Sequence, residues 1–262
     1  MYGYDVEEFN GTKDNGQNLY HDEQSLKSAG FLSKVFGYAA IALLITTVLA
    51  IGLGLLFSYT IFMMESEAAL LAFFALVISS AIGVIVTGFV IHLVSFRNKS
   101  ILIPGILYSV FMGIMLSSFV MFVPWYILGM AFGITTLAFV LMFMIAKITK
   151  KSFNGLGICG IALLFGSLII GAVFGILALF ISNGSLQLEW MWYWIYLGIN
   201  LVALLGIIFI TMWDIAHIVQ ISEKGQESKN LALYCAYMIY ADFIYMLLRL
   251  IRILLIIFGN RK

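Results

Sequence analysis

The chain has 262 residues, of which 63% are hydrophobic and only 10% charged, with a formal net charge of +1 and a mean hydropathy of +1.08. That balance is far from a water-soluble domain and describes a polytopic protein whose main partner is a lipid bilayer. There is no polybasic surface for nucleic acid, and the few Lys and Arg gather at the ends of apolar stretches.

Residues 1–30 are polar and mildly acidic, with no basic start running into an apolar core and a small-residue cleavage site, so no cleaved signal peptide is evident. Their scattered Tyr and Phe bury too little surface to offset ordering, and this cytoplasmic tail is expected to be disordered or interfacial. Residues 31–262 form the membrane domain. A helix needs about 20 mostly apolar residues to cross a bilayer, and seven stretches suffice: 33–58, 69–95, 101–122, 124–146, 155–182, 192–221 and 230–258. The expected fold is an all-α integral membrane protein, a seven-transmembrane-helix bundle.

Basic residues fix its orientation. Arg97 and Lys99, then Lys147, Lys150 and Lys151, then Lys224 and Lys229 fall in alternate connectors, while the opposite connectors carry Glu65, Glu67 and Glu189. Cytoplasmic loops hold the excess of Lys and Arg. With Lys27 and Lys34 flanking the first span, the amino terminus is placed in the cytoplasm and the carboxyl terminus outside. Arg249, Arg252, Arg261 and Lys262 run against that placement. Either the last span stops short and returns toward the cytoplasmic face, or its arginines snorkel to the outer interface. Seven full spans are adopted here. A bacterial plasma membrane is the expected location, and an organelle membrane fits the same features.

The short connectors at 95–100 and 122–124 predict antiparallel packing of the helices they join. Pro104 and Pro124 suit first helical turns. Gly129 with Gly133, and Gly171 with Gly175, give small-xxx-small faces for close helix approach. Cys159 and Cys235 read as small buried hydrophobes. Trp125, Trp190, Trp192, Trp194 and Tyr193 read as an aromatic belt at outer helix ends.

Two aspartates lie inside the last two stretches, where charge is expensive. Asp214 and Asp242 have their sequence midpoint at residue 228, within the connector 223–230, so an antiparallel hairpin brings their carboxyls to similar depth. Both cannot ionise cheaply at contact; they would share a proton and titrate as one unit, a proton switch that can shift helix packing or bind a cation such as Ca²⁺ through oxygen ligands. The plainer reading is a hydrogen-bonded pair that only fixes the hairpin. His217 follows Asp214 at i+3 on the same face. Arg249 shares the stripe of Asp242 but lies about 10 Å along the axis, and with Arg252 extends a polar track. His92 is a proton acceptor or an interfacial histidine. Arg97, at comparable depth to Asp214, is an anchor or its partner.

These last two spans resemble the signature of the Bax inhibitor-1, or transmembrane Bax inhibitor motif, family. The likeness rests on Trp213-Asp214 followed by Ile215 and Ile218, a short charged connector, then Tyr240-Ala241-Asp242-Phe243 with Leu247, Leu248 and an arginine at Arg249 or Arg252. It covers residues 205–255 in motif and 33–258 in architecture. The resemblance implies a central seventh helix wrapped by six others, and an aspartate latch over a cation pathway. It also implies a low-conductance Ca²⁺ leak channel rather than an enzyme, with no cofactor. An arginine ending the second span, here Arg97, would bond the sixth-helix aspartate. Similar proteins are described as stress or cell-death modulators, and bacterial relatives are linked to a membrane-anchored protease, so a non-transporting regulator is the alternative. Some members carry a glutamate in the second span, where this chain has Thr87, and Tyr245 replaces a commonly polar residue.

Two rival readings fail on their motifs. An intramembrane aspartyl protease would need glycines around its second aspartate, and Ile239-Tyr240-Ala241-Asp242 has none. A retinal protein needs a lysine within the seventh helix, and only Lys229, at its start, is near.

Overall fold

The computed structural model describes residues 8–63, 67–97, 99–149, 153–181, 186–224 and 228–259. Glu65, Lys150, Lys151, Arg261 and Lys262 lie outside the described residues, as do the side chains of Glu189, Trp190 and Trp192. The described residues form seven α-helices: α1 (Glu8–Ser58), running into one π-turn (Tyr59–Met63), α2 (Glu67–Phe96), α3 (Leu102–Phe122), α4 (Trp125–Thr149), α5 (Asn154–Ile181), α6 (Leu186–Glu223) and α7 (Lys229–Gly259).

Among the described residues, six helical segments are long and apolar enough to cross a bilayer: Lys27–Phe62, Glu67–Phe96, Leu102–Phe122, Trp125–Thr149, Asn154–Leu177 and Tyr193–Glu223. The first is longer at both ends than the expected 33–58. α7 is 31 residues long but not among the six; it carries Asp242, Arg249 and Arg252 and buries fifteen residues. Helix is what the environment demands, because lipid cannot satisfy a free backbone N–H or C=O. Side-chain hydroxyls obey the same rule: Thr47, Thr135 and Ser167 donate back to Leu43 O, Ala131 O and Leu164 O at 2.7, 2.7 and 2.8 Å. Large apolar side chains cover the outside, among them Leu71, Phe89, Leu137, Phe165 and Leu168. Such a surface would aggregate in water and is matched to lipid. The protein is a multi-pass integral membrane protein.

α7 packs against α1, α4 and α6, α1 against α3, and α5 against α6. The short 95–100 connector joins two helices that pack together, α2 and α3. The 122–124 connector does not: α3 and α4 part company, and α4 packs on α6 and α7 instead. Val123 is extended, with φ −103° and ψ 132°, as a residue before proline prefers, and this sends α4 away from α3. Pro104 does lie in the first turn of α3, whereas Pro124 stands just ahead of α4, its carbonyl accepting from Ile127 N at 3.0 Å.

The glycines that allow close approach are not the expected ones. A Cβ on Gly129, Gly133 or Gly175 would meet nothing within 4 Å, and one on Gly171 would make ordinary contact at 3.8 Å. The tight crossing is between α5 and α6, where a Cβ on Gly160 would lie 2.8 Å from Gly206 O and one on Gly206 would lie 3.0 Å from Gly160 O. Cys235 is buried, but Cys159 faces outward.

Candidate functional site

The α5–α6 crossing sets the orientation of Asp214. About two turns beyond Gly206, the Trp213 indole lies over Gly157, where a Cβ would come within 2.8 Å of ring atoms. Its Nε1 donates to Asn154 Oδ1 at 3.2 Å. With Trp213 held on α5, the 100° step to the next residue turns Asp214 inward, where it is 6% exposed. α7 packs on this part of α6 and brings Asp242 opposite.

The two carboxyls lie within hydrogen-bonding reach of each other, and Thr211, three residues before Asp214, stands beside Asp242. Asp214 Oδ1 and Asp242 Oδ2 are shut off from solvent and have no hydrogen-bond partner among the described residues. Two carboxylates at this separation repel strongly in a low dielectric, whereas one retained proton converts the contact into a charge-assisted O–H···O⁻ bond.

Apolar side chains close around it. Ile215, Ile218, Ile244 and Met246 are each about 1% exposed. Phe243, beside Asp242 in sequence, packs against Phe132 and Phe139 of α4 at centroid distances of 5.7 and 5.2 Å. A cavity of about 300 Å³ between α5, α6 and α7 and one of about 190 Å³ between α1, α3 and α7 are lined by neither aspartate. Ca²⁺ takes six to eight oxygen ligands. The pair offers four carboxylate oxygens, and the described residues contain no group of three or more His, Cys, Asp or Glu able to hold a metal.

The remaining expected residues scatter. His217 is exposed and stacks on Trp213, centroids 6.1 Å apart. Arg97 is exposed at the end of α2, with no hydrogen bond or ion pair to either aspartate among the described residues. His92 is exposed too, its ring edge-on to Tyr234 and Tyr237 at 6.3 Å each. Arg249 turns from Asp242 to α6, donating to Asn200 Oδ1 at 3.1 Å, and with Arg252 it lines the 300 Å³ cavity. The polar stripe thus divides into an acidic and a basic half.

A tyrosine cluster on α3 and α7 is not evident from the sequence. Tyr108 of α3, 1% exposed, stands edge-on to Tyr237 and Tyr240 at 5.1 and 6.0 Å, and its hydroxyl lies 3.4 Å from that of Tyr245. Thr46 Oγ1 donates to Ser109 O at 3.0 Å and sits 2.6 Å from Tyr240 Oη. A hydroxyl has one proton, so Tyr240 donates to Thr46. The signal was the spacing of Tyr234, Tyr237 and Tyr240 on one helix, which reads equally as apolar packing.

No curated protein and no solved structure matches the chain. The family model described as inhibitor of apoptosis-promoting Bax1 matches residues 28–260, from the first span through the aspartate pair to the end of α7. The match takes in all seven helices as well as the two motif-bearing ones, and the chain belongs to the Bax inhibitor-1 family.

Proposed function

We propose that this protein is a pH-sensitive cation leak channel whose cargo is Ca²⁺, closed by the proton that Asp214 and Asp242 share. The observation that carries this reading is the pair itself: two carboxyls turned to each other in an apolar interior, each with an oxygen that has no hydrogen-bond partner among the described residues. In this reading α7 is the seventh span and the hub of the bundle, the amino terminus is cytoplasmic, and no bond-making chemistry is involved. Loss of the shared proton leaves like charges in contact. Their repulsion separates α6 from α7, draws Phe243 out from between Phe132 and Phe139, and opens a path lined by carboxylate oxygens that suit a hard cation. Arg97 takes up Asp214 once the pair has parted.

The sealed surroundings favour a second reading. Because neither described cavity reaches the aspartates, the same pair suits a non-transporting regulator of a membrane-anchored protease or of a stress or cell-death complex, in which it only pins α6 to α7. Purified protein in proteoliposomes loaded with a Ca²⁺ indicator separates the two. Ca²⁺ entry above that of protein-free vesicles supports the channel, and vesicles that stay tight support the regulator.

A further inference from the structure

We infer that the cavity between α5, α6 and α7 is a binding site for the phosphate of an anionic phospholipid, held by Arg249 and Arg252. This site is separate from the aspartate pair and does not depend on the leak reading. The two arginines are three residues apart on one face of α7, close enough to repel each other, and both line the cavity. None of the described residues lining it is acidic. A guanidinium has five N–H donors. Arg249 is half-buried and directs one bond to Asn200 Oδ1, while Asn200 spends its own Nδ2 on Tyr196 O at 2.8 Å. Two adjacent cations at a helix flank that faces lipid need a counter-anion, and the fork of donors matches phosphate oxygens.

Position selects a lipid over a free ion. The cavity opens sideways past Leu168 and Tyr196, 66% and 51% exposed, onto the outer face of the helices rather than into the bundle. It lies within about two turns of Tyr193 and Trp194, where the apolar span of α6 begins, with Tyr193 Oη donating to Ile256 O of α7 at 3.1 Å. Aromatic residues at helix ends lie at headgroup level, so the arginines meet the phosphate while acyl chains run over Leu168 and the α5 surface. Basic pockets between membrane helices bind anionic headgroups by this arrangement.

The test is native mass spectrometry of the purified full-length protein in mild detergent with added phosphatidylglycerol or phosphatidylcholine. Wild type should retain phosphatidylglycerol about tenfold better than phosphatidylcholine, the scale of one charge-assisted contact. Arg249→Gln with Arg252→Gln should abolish that preference. Gly175→Leu, which keeps both arginines and fills the cavity from a position with open space around its Cβ, should abolish it too. Lys34→Gln, a charge change on α1, should leave it intact. Equal retention of both lipids by wild type, or a preference surviving both cavity variants, overturns the proposal. So does protection by inorganic phosphate without lipid retention, which would assign the cavity to a free anion.

Discussion

Replacing Asp242 by Leu keeps the branched outline of the side chain but removes the partner of Asp214. The surviving carboxyl then loses its carboxyl neighbour in a pocket where Oδ1 is already without a hydrogen-bond partner among the described residues. Leaving a buried polar group unsatisfied costs about 1–3 kcal/mol, and Asp214→Leu should cost a similar amount by the same route. The double variant is the informative one. With both polar groups gone there is nothing left to desolvate, and Leu at 214 and 242 adds apolar contact beside Ile215, Ile218 and Phe243. Replacing both partners by apolar groups of similar shape can be near neutral. Its loss should therefore be smaller than either single loss, a coupling of at least about 1–2 kcal/mol, within the range found for residues in direct contact. Unfolding of the four proteins by SDS titration in mild detergent gives the cycle. Additive losses would mean that the carboxyls do not share a proton, and the latch would be wrong.

Other consequences are local. Gly160→Ala places a Cβ 2.8 Å from Gly206 O and should destabilise by about 1–3 kcal/mol through overpacking, whereas Gly133→Ala, with open space, should be neutral or stabilise by up to about 1 kcal/mol through helix propensity; thermal unfolding in detergent reads both. Tyr240→Phe removes the 2.6 Å bond to Thr46 and should cost about 1 kcal/mol by SDS titration. Phe243→Ala removes the ring packed on Phe132 and Phe139, should cost about 3–5 kcal/mol, and should raise Ca²⁺ leak in proteoliposomes at every pH; an unchanged leak in a folded variant would exclude Phe243 as the plug.

Much of this architecture is legible in one sequence because lipid imposes a single rule: apolar runs of sufficient length become helices. All seven stretches did so, and the pairing of Asp214 with Asp242 follows from their symmetry about a short polar connector. What sequence spacing does not carry is which way each helix leaves its connector. The direction of α4 depends on the extended backbone of Val123 ahead of Pro124, so a two-residue link read as a hairpin is a departure. Nor does a glycine motif say where helices touch. Gly129 and Gly133 have the spacing but face open space, while Gly160 and Gly206, each unremarkable in its own segment, meet across α5 and α6. His217 shares a face with Asp214 on a helical wheel, yet it is exposed and stacks on the Trp213 ring. Arg249 shares a stripe with Asp242, but Asn200, on another helix, captures it.

The most direct measurement is Ca²⁺ flux into proteoliposomes between about pH 6 and pH 8, comparing wild type with Asp214→Asn and Asp242→Asn. The retained proton seals the pair at low pH and is lost as pH rises, so wild-type leak should increase with pH. Either asparagine removes the like-charge repulsion and should flatten that profile. A wild-type leak independent of pH, or a profile unchanged in both variants, would contradict the aspartate switch.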